Sequence, residues 1–299
     1  MAEQIPLSDE ASAVDAELDA ARNDHTHEIA PDLSYRRLGI VNVVFYGQPS
    51  AGDRQWVLID AGLTGTKDLI KSAAAERFGE NARPAAIVMT HGHFDHVGAL
   101  VDLAEEWDAP VYAHRLELPY LNGSASYPPG DPSVGGGAMA ALARFYPRSP
   151  VDVGPRLDVL PADGNVPFMP GWRWLHTPGH SVGHVSLWRE ADRTMVAGDA
   201  FVTTRQESAY AVAVQKAEMH GPPMYYTVEW DKAAASVRLL AGLEPDLVVT
   251  GHGEAMHGPE MRSALHRLAA EFETIAQPRQ GRYLREPARA EDGTAYGAP

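Results

Sequence analysis

The chain has 299 residues, with Lys+Arg 25 against Asp+Glu 40 and a formal net charge of −15 at pH 7. Such an acidic surface repels nucleic acid and anionic membranes, so we expect neither as a partner. No apolar run approaches the ~20 residues that span a bilayer, and the acidic N-terminus lacks the apolar core of a signal peptide. Cysteine is absent, which removes disulfides and thiolate metal sites and favours a cytoplasmic location.

The first part of the chain alternates predicted strands and helices. Residues 1–33 are polar and acidic and predict an N-terminal arm, in part helical, outside the core. The β-rich runs 35–46 and 55–59 flank a turn-forming segment that predicts a hairpin. The next predicted elements are a helix over 67–78 with Thr66 as its N-cap, a strand over 85–89, a helix over about 98–107 and a strand over 110–113.

Residues 122–150 form a long segment rich in glycine and proline. Connections of this length are usually functional, and many are lids. The apolar residues of this segment recur at roughly helical spacing: Met139, Leu142, Phe145 and Tyr146. We predict a mobile cover whose apolar face contacts an acyl or aryl group of the substrate. A helix packed permanently on the core or on a partner subunit is the alternative.

The rest of the chain returns to short strands and longer helices. Strands are predicted over 157–160, 172–176, 184–188, 194–197 and 247–250, and helices over 231–243 and 259–275. Residues 202–229 read as irregular, and the polar tail from 277 onward is expected to fray. Because strands and helices recur in turn, we predict one α/β domain with helices layered on sheet.

Seven metal-capable side chains follow strand-like runs. The segment THGHFDHVG carries four of them, and TPGH, AGD and TGHG carry one each: His91, His93, Asp95, His96, His180, Asp199 and His252. Ligand sites of α/β proteins gather at the carboxyl ends of strands, so we expect the seven to converge. One catalytic ion needs only three protein ligands and an open position. Seven ligands therefore suit two ions that share one carboxylate.

Three neighbouring residues have predicted roles beside the ligands. Asp60, at the end of the strand WVLID, either orients a ligand histidine or caps the following turn. His184 is expected to pack or hydrogen-bond behind the site. His114, after the strand PVYA, is assigned to the surface or to the start of a helix.

The run His-x-His-x-Asp-His with three later single ligands resembles the metallo-β-lactamase superfamily of hydrolases. The resemblance covers roughly residues 35–275 and implies an αββα sandwich with the metal site at one edge of its two sheets. Residues 34–276 would then form one metallo-hydrolase domain with an insertion at 122–150 and a tail at 277–299. By position, the resemblance implies a first metal on His91, His93 and His180, a second metal on Asp95, His96 and His252, and a bridge through Asp199.

The resemblance implies hydrolysis by a hydroxide that bridges two divalent ions, zinc in the first place, with manganese and iron as alternatives. Asp95 is the predicted catalytic residue, because it could orient the hydroxide or pass its proton to the leaving group. The aspartate at 199 resembles lactonases and glyoxalase II-like enzymes, which predicts a small ester, lactone or thioester substrate. The tyrosine that helps some lactonases is absent after Asp199, and Tyr225 or Tyr226 could replace it.

Other classes remain open from the sequence. Persulfide dioxygenases share the fold and hold a single iron, and phosphoester hydrolases and non-catalytic metal modules are further alternatives. Nucleic-acid processing members are disfavoured by the net charge of −15. A homodimer is the one assembly that we leave open, and no organic cofactor is predicted.

Overall fold

A computed structural model describes residues 4–15, 19 and 25–299 of the chain. Seven strands form one sheet in chain order: β2 (His27–Ala30), β3 (Leu33–Leu38), β4 (Val41–Tyr46), β5 (Val57–Ile59), β6 (Ala86–Val88), β7 (Val111–Ala113) and β8 (Leu157–Val159). A second sheet has the order β14-β13-β11-β10-β9, from β9 (Trp172–His176), β10 (Val185–Arg189), β11 (Thr194–Gly198), β13 (Leu247–Thr250) and β14 (Met256–His257). β1 (Ile5–Pro6) and β12 (Glu218–Met219) form an antiparallel ribbon.

The helices of the described residues are mostly short. They are α1 (Lys67–Phe78), α2 (Leu100–Glu106), α3 (Leu118–Leu121), α4 (Ala138–Leu142), α5 (Ala209–Val214), α6 (Trp230–Gly242), α7 (Gly258–Ala270) and α8 (Phe272–Ile275). The longest, α6 and α7, have 13 residues each. No helix among the described residues has the length and apolar character that a membrane crossing requires.

The two sheets pack face to face. Successive side chains of a strand point to opposite faces, so a strand buried on both faces is apolar throughout. Val44 and Ile59 of the seven-stranded sheet meet Leu187 and Val196 of the five-stranded sheet in one buried cluster. Burial of these apolar side chains between the sheets is the main favourable contribution to this packing.

Helices cover the outer face of each sheet. The outer face of the seven-stranded sheet packs on α1 and α2, where Phe45 and Leu58 share a cluster with Ile70 and Leu103. The outer face of the five-stranded sheet packs on α6 and α7 through a separate cluster that includes Met195, Val237 and Leu265. The layers therefore run helix, sheet, sheet, helix, and the expected αββα sandwich is confirmed.

Strand directions bring several strand ends to the same edge. β10 is antiparallel to both β9 and β11, and β11 is parallel to β13, so β9, β11 and β13 run in one direction. In the other sheet β5 and β6 are parallel neighbours. Loops that leave the carboxyl ends of such strands emerge together, as expected for a ligand site.

Local predictions differ from the structure at three places. The run 35–46 is two antiparallel strands, β3 and β4, because Gly39 adopts φ +70° and turns the chain. The predicted helix 259–275 is divided at Glu271, which leaves helical geometry with φ −114° and ψ 25°. Thr66 precedes α1 without capping it, since its hydroxyl donates to the Leu63 carbonyl.

The N-terminal arm is not outside the core. Ile5, Leu7 and Ala11 are buried in the cluster beneath α6 and α7, and β1 pairs with β12. The irregular run 202–229 supplies that partner strand and also α5. The described residues of the arm contain strands and one 3-10 turn, and the helical part expected of it lies outside the described residues.

The C-terminal tail, expected to fray, is packed along the insertion 122–150. Ser126 and Gly297 exchange two backbone hydrogen bonds of 3.0 and 2.8 Å. The Tyr283 hydroxyl donates to the Pro129 carbonyl at 2.5 Å, and the Arg282 backbone amide donates to the buried Asp131 carboxylate. Such contacts satisfy backbone groups that a frayed tail would leave to water.

Candidate metal centre

All seven predicted ligands lie at the edge where the strands end. The run from His91 to His96 follows β6, His180 follows β9, Asp199 follows β11 directly, and His252 follows β13. All are buried, and the most exposed of them, Asp95, retains 6% of its accessible surface. The side chains meet because the strands that carry them end side by side.

The ligand atoms form three overlapping groups, each with all atoms within 4.8 Å of one another. They are His91, His93 and His180; His91, His96 and Asp199; and Asp95, His96 and His252. The first and third groups have the membership that the resemblance implies for the two metals. The second group joins the other two, because it shares a histidine with each and adds Asp199.

Asp199 lies between the groups. Its Oδ2 is 3.0 Å from His252 Nε2 and 3.5 Å from His180 Nε2, and its Oδ1 is 3.7 Å from His96 Nε2. A Cβ atom at Gly251 would lie only 2.0 Å from Asp199 Oδ1. Glycine at 251 therefore leaves the space that this carboxylate occupies.

Three of the histidines contact a partner outside the ligand cluster through Nδ1, and this leaves Nε2 facing the cluster. His96 donates from Nδ1 to Asp60 Oδ2 at 2.8 Å, and His252 donates from Nδ1 to the Ile40 carbonyl at 2.6 Å. His91 Nδ1 lies 3.1 Å from the Thr90 hydroxyl, which itself donates to Asp60 at 2.7 Å. Such partners fix the tautomer and leave Nε2 as a lone-pair donor for a metal.

Asp60 is thus the orienting partner, and not merely a cap of the following turn. Its Oδ1 accepts the Thr90 backbone amide at 2.8 Å. Because β5 and β6 are parallel neighbours, the residues that follow them emerge side by side, and Asp60 reaches Thr90 and His96 from the adjacent strand.

His184 supports the site from behind, as expected. Its Nε2 accepts the Asp199 backbone amide at 2.9 Å, and its Nδ1 lies 2.9 Å from the Thr177 hydroxyl. Burial lowers the pKa of His184 to about 3, so the ring is neutral and can accept that bond. His114 is buried, not at the surface. It lies before α3 and stacks on His176 with ring centroids 4.2 Å apart.

The electrostatics of the ligands favour a cation. Burial, together with neighbouring histidines, holds the pKa of His91 and of His93 well below the ordinary value. Burial opposes ionisation of Asp199, but His252 and His96 hold its pKa well below that of a free carboxyl. Against the effect of burial, Asp60 and Asp199 raise the pKa of His96, and Asp199 raises the pKa of His252, so these two rings favour their protonated forms beside the carboxylate. Neutral imidazoles and an ionised carboxylate are the forms that bind divalent metals, and a bound cation would take the place of these protons.

Among the described residues, three atoms that face the centre are buried without a hydrogen-bond partner. They are His91 Nε2, His96 Nε2 and Asp199 Oδ1. Buried polar atoms are almost always paired, so three unpaired atoms in one cluster indicate a common partner. Imidazole nitrogen and carboxylate oxygen suit zinc and other divalent transition metals. The residues present therefore fit a metal centre.

Aromatic side chains cover the His93 side of the centre. The Tyr226 ring stacks on His93 with centroids 4.5 Å apart, and the Tyr127 ring lies 4.3 Å from the same ring. Tyr146 packs 5.6 Å from Phe94 and belongs with Tyr226 to one small buried cluster. Within the described part of the chain, the buried Tyr226 hydroxyl has no hydrogen-bond partner.

The apolar face predicted for the insertion does not form as one face. Met139 and Tyr146 pack against the aromatic cluster, whereas Leu142 and Phe145 are 49% and 67% exposed. The reason is local geometry: α4 ends at Leu142 and a 3-10 turn over Ala143–Phe145 follows. A 3-10 turn has three residues per turn, so residues 142 and 145 share a face that points away from 146.

The sequence reasoning did not identify Glu117 or Tyr127. Glu117 is fully buried, and its carboxylate accepts hydrogen bonds from the Gly92 amide and the Tyr127 hydroxyl. The available signal was a single acidic residue within the apolar run LELPYL, 116–121. A charged residue in such a run is seldom buried unless it is paired with hydrogen-bond donors or an opposite charge.

Known proteins share both the sequence pattern and the fold. The family model for the metallo-beta-lactamase superfamily matches residues 36–252. The probable metallo-hydrolase YflN of Bacillus subtilis (strain 168) is 43% identical over 258 residues, which cover 86% of this chain and 97% of that protein. A beta-lactamase domain protein from Burkholderia ambifaria aligns with TM-score 0.59 at 19% identity, over 87% of this chain and 80% of that chain.

A second solved structure gives the same result for the fold. A metallo-beta-lactamase family protein from Thermus thermophilus aligns with TM-score 0.54 at 20% identity, over 82% of this chain and 81% of that chain. The chain belongs to the metallo-beta-lactamase superfamily, as the order of its motifs predicted. With its His and Asp metal groups, it is a metallo-hydrolase of that superfamily.

Proposed function

We propose that the protein holds two divalent ions, with zinc as the expected metal, and hydrolyses a small ester, lactone or thioester. The observation that carries the proposal is the position of Asp199. Its carboxylate lies within 3.7 Å of His96, His180 and His252, one histidine of the first group and two of the third. A carboxylate between two ligand groups is the arrangement that lets one residue serve two ions.

When bound, a pair of ions supplies a hydroxide nucleophile near neutral pH and polarises the scissile carbonyl. The protein residues do the remaining work. His96 and His252 are held by Asp60 and the Ile40 carbonyl, so their ligand nitrogens cannot turn away. Asp95 Oδ2 lies 3.5 Å from His252 Nε2, and burial raises the pKa of Asp95. As a ligand of a divalent ion Asp95 is ionised, and its carboxylate is then placed to take up the proton of the nucleophile and pass it to the leaving group.

The surroundings favour a small, uncharged acyl substrate. The ligands are at most 6% exposed, so a bulky polymer could not reach them without rearrangement. The aromatic rings of Tyr127, Tyr146 and Tyr226 line the His93 side. The Tyr226 hydroxyl, which has no partner, is available to donate to a substrate oxygen. A net charge of −15 disfavours phosphoesters and nucleic acids.

Metal analysis and a substrate panel test the proposal together. Protein purified without added metal should contain two ions per chain, and lactones, thioesters and aryl esters should be hydrolysed faster than phosphoesters with zinc supplied. One iron per chain with oxygen consumption on a persulfide would favour a dioxygenase and contradict the proposal. Turnover confined to phosphoesters would contradict the substrate class while leaving the two-metal centre intact.

Asp199→Ala tests the bridge itself. Since the carboxylate reaches both ligand groups, its loss should abolish hydrolysis and reduce the metal content below two ions per chain. Metal content by mass spectrometry and thermal unfolding with and without zinc would be measured on the same preparation. A variant that retained two tightly bound ions would show that Asp199 is not the bridge.

A further inference from the structure

Four hydrogen-bond donors converge on the buried carboxylate of Glu117. Oε1 accepts from the Ser181 hydroxyl and from the Gly183 amide, both at 2.8 Å. Oε2 accepts from the Tyr127 hydroxyl and, at 3.0 Å, from the Gly92 amide, which also donates to the Tyr127 oxygen at 2.8 Å. Burying a carboxylate is costly unless charge-assisted bonds compensate it, so this set of four is a built arrangement.

Two of the four donors, Gly92 and Ser181, are chain neighbours of predicted metal ligands. Gly92 lies between His91 and His93, and Ser181 directly follows His180. The first loop leaves β6 of the seven-stranded sheet, and the second leaves β9 of the five-stranded sheet. Glu117 therefore connects the two loops that supply the whole first group, one loop from each sheet.

Glycines make the approach of Glu117 possible. A Cβ at Gly183 would lie 2.8 Å from Glu117 Cγ and Oε1, and a Cβ at Gly92 would lie 2.9 Å from the Tyr127 hydroxyl. Neither glycine is among the residues with positive φ, so space, and not an unusual backbone conformation, explains them. The backbone of Gly183 is open on the side from which Glu117 approaches, and the backbone of Gly92 is open on the side of Tyr127.

We propose that Glu117 is a positioning residue that fixes the first metal group, His91, His93 and His180. Asp60 has the corresponding part for His96 in the other group, through the contact at 2.8 Å. The proposal rests on the two-metal function given above and adds which residue holds which ligand set. Residues outside the ligand set typically change metal affinity by about 10- to 100-fold when they are substituted.

Glu117→Gln is the informative variant because it keeps the shape. A glutamine amide nitrogen cannot accept a hydrogen bond. The hydroxyls of Ser181 and Tyr127 can turn to accept from it, but each carboxylate oxygen also takes a backbone amide that cannot turn. Whichever way the new amide is placed, residue 117 loses its bond to Gly92 or its bond to Gly183, and in the first case the Gly92 amide keeps only the Tyr127 oxygen as an acceptor.

The test measures zinc affinity in two backgrounds. Of the two groups predicted to hold a metal each, His252→Ala leaves the first complete and removes a member of the third, whereas His180→Ala does the reverse. Zinc binding to metal-free protein would be measured by competition with a chromogenic chelator. Glu117→Gln should weaken binding by about 10- to 100-fold in the His252→Ala background and by less than about 3-fold in the His180→Ala background. Asp60→Asn should show its larger effect in the His180→Ala background.

An equal loss in both backgrounds, or no loss in either, would overturn the proposal. The melting temperature of each metal-free variant is measured as well, because a drop there with unchanged zinc affinity would mean that Glu117 only stabilises the fold. If Glu117→Gln does not fold, Tyr127→Phe removes one donor and keeps the ring on His93. It should give a smaller loss confined to the first group, and equal losses in the two backgrounds would again overturn the proposal. Zinc affinity does not require turnover, so a failed substrate panel leaves this test valid.

Discussion

The ring of Tyr226 stacks on the ring of His93, with centroids 4.5 Å apart and planes inclined by 22°. The stacking holds the hydroxyl of Tyr226 in a buried position where no residue that the structure describes hydrogen-bonds to it. A buried hydroxyl without a partner costs free energy unless a bound molecule completes it. The sequence offers two adjacent tyrosines for this role, Tyr225 and Tyr226. Tyr226 is the one whose ring stacks on His93.

Tyr226→Phe should reduce kcat for the ester or lactone that the panel identifies, by about 10- to 100-fold, with little change in metal content. The expected loss of kcat is equal to, or somewhat smaller than, the loss seen when one hydrogen-bond donor to a developing oxyanion is removed. Tyr210→Phe is the matched control, because Tyr210 is 72% exposed. An unchanged kcat in Tyr226→Phe would assign this tyrosine to packing alone.

Gly251→Ala should disturb the metal centre although no predicted ligand is substituted. The added methyl group would lie 2.0 Å from Asp199 Oδ1 and 2.9 Å from His96 Cε1, so Asp199 must move. We expect at least one of the two ions to be lost on dialysis, with a fall in activity of more than about tenfold. Gly242→Ala, where an added methyl meets nothing within 4 Å, should leave metal content unchanged. Two retained ions in Gly251→Ala would count against the role of Asp199 as the bridge.

The side chains of the candidate metal centre could be predicted from the sequence because their signals are local. Each ligand follows an apolar run, and residues that follow neighbouring strands of the same direction must emerge together. The His-Gly-His-Phe-Asp-His run also places four metal-binding side chains within six residues, a spacing that is unusual outside metal sites. The sandwich itself came from the resemblance, since strand patterns alone do not specify how two sheets pack.

What the sequence did not reveal depends on contacts between distant segments. Ile5 and Leu7 are isolated apolar residues in an acidic arm, and only the partner strand near Met219 gives them a core to enter. The tail is polar, yet Gly297 finds a backbone partner at Ser126. Glu117 has no motif, because its four donors lie far from it in the chain. Long-range pairing of this kind leaves no periodic signal.

Acid should destabilise the protein in part through His114. Burial, with a contribution from His176, lowers the pKa of His114 to about 4 from 6.5. Between these pH values the unfolded chain binds a proton that the folded chain does not, so the free energy of unfolding falls as pH decreases from 6.5 to 4. Between pH 6.5 and 4, the free energy of unfolding of His114→Phe should fall by about 1 to 2 kcal/mol less than that of the unmodified protein.

Urea unfolding at several pH values measures this difference. The protein is first treated with a chelator, because metal binding releases protons from its ligands and would add a pH dependence of its own. Phenylalanine keeps the stacking surface for His176. His257→Phe, at an exposed position, serves as the control and should leave the pH dependence as it was. Equal slopes for His114→Phe and the unmodified protein would contradict the assignment.

The insertion 122–150 remains the predicted cover of the site, and the structure identifies the side chains with which to test it. Tyr146 lies against Phe94, Tyr225 and Tyr226 and donates from its hydroxyl to the Met139 carbonyl. Leu142 and Phe145, in the same segment, are exposed. One segment therefore offers an inward position and an outward pair of similar apolar character.

Tyr146→Ala should raise KM and change the ranking of acyl substrates by about 3- to 30-fold, because it opens the apolar wall next to Phe94 and Tyr226. Metal content should be unchanged, since the ring touches no ligand group directly in the described contacts. The double variant Leu142→Ala, Phe145→Ala should keep the ranking of the unmodified protein. If the outward pair changes the ranking and Tyr146→Ala does not, the segment meets the substrate through a different face. A large fall in melting temperature with an unchanged ranking in Tyr146→Ala would make the segment a permanent part of the core, because a cover that contacts substrate must affect which substrate is accepted.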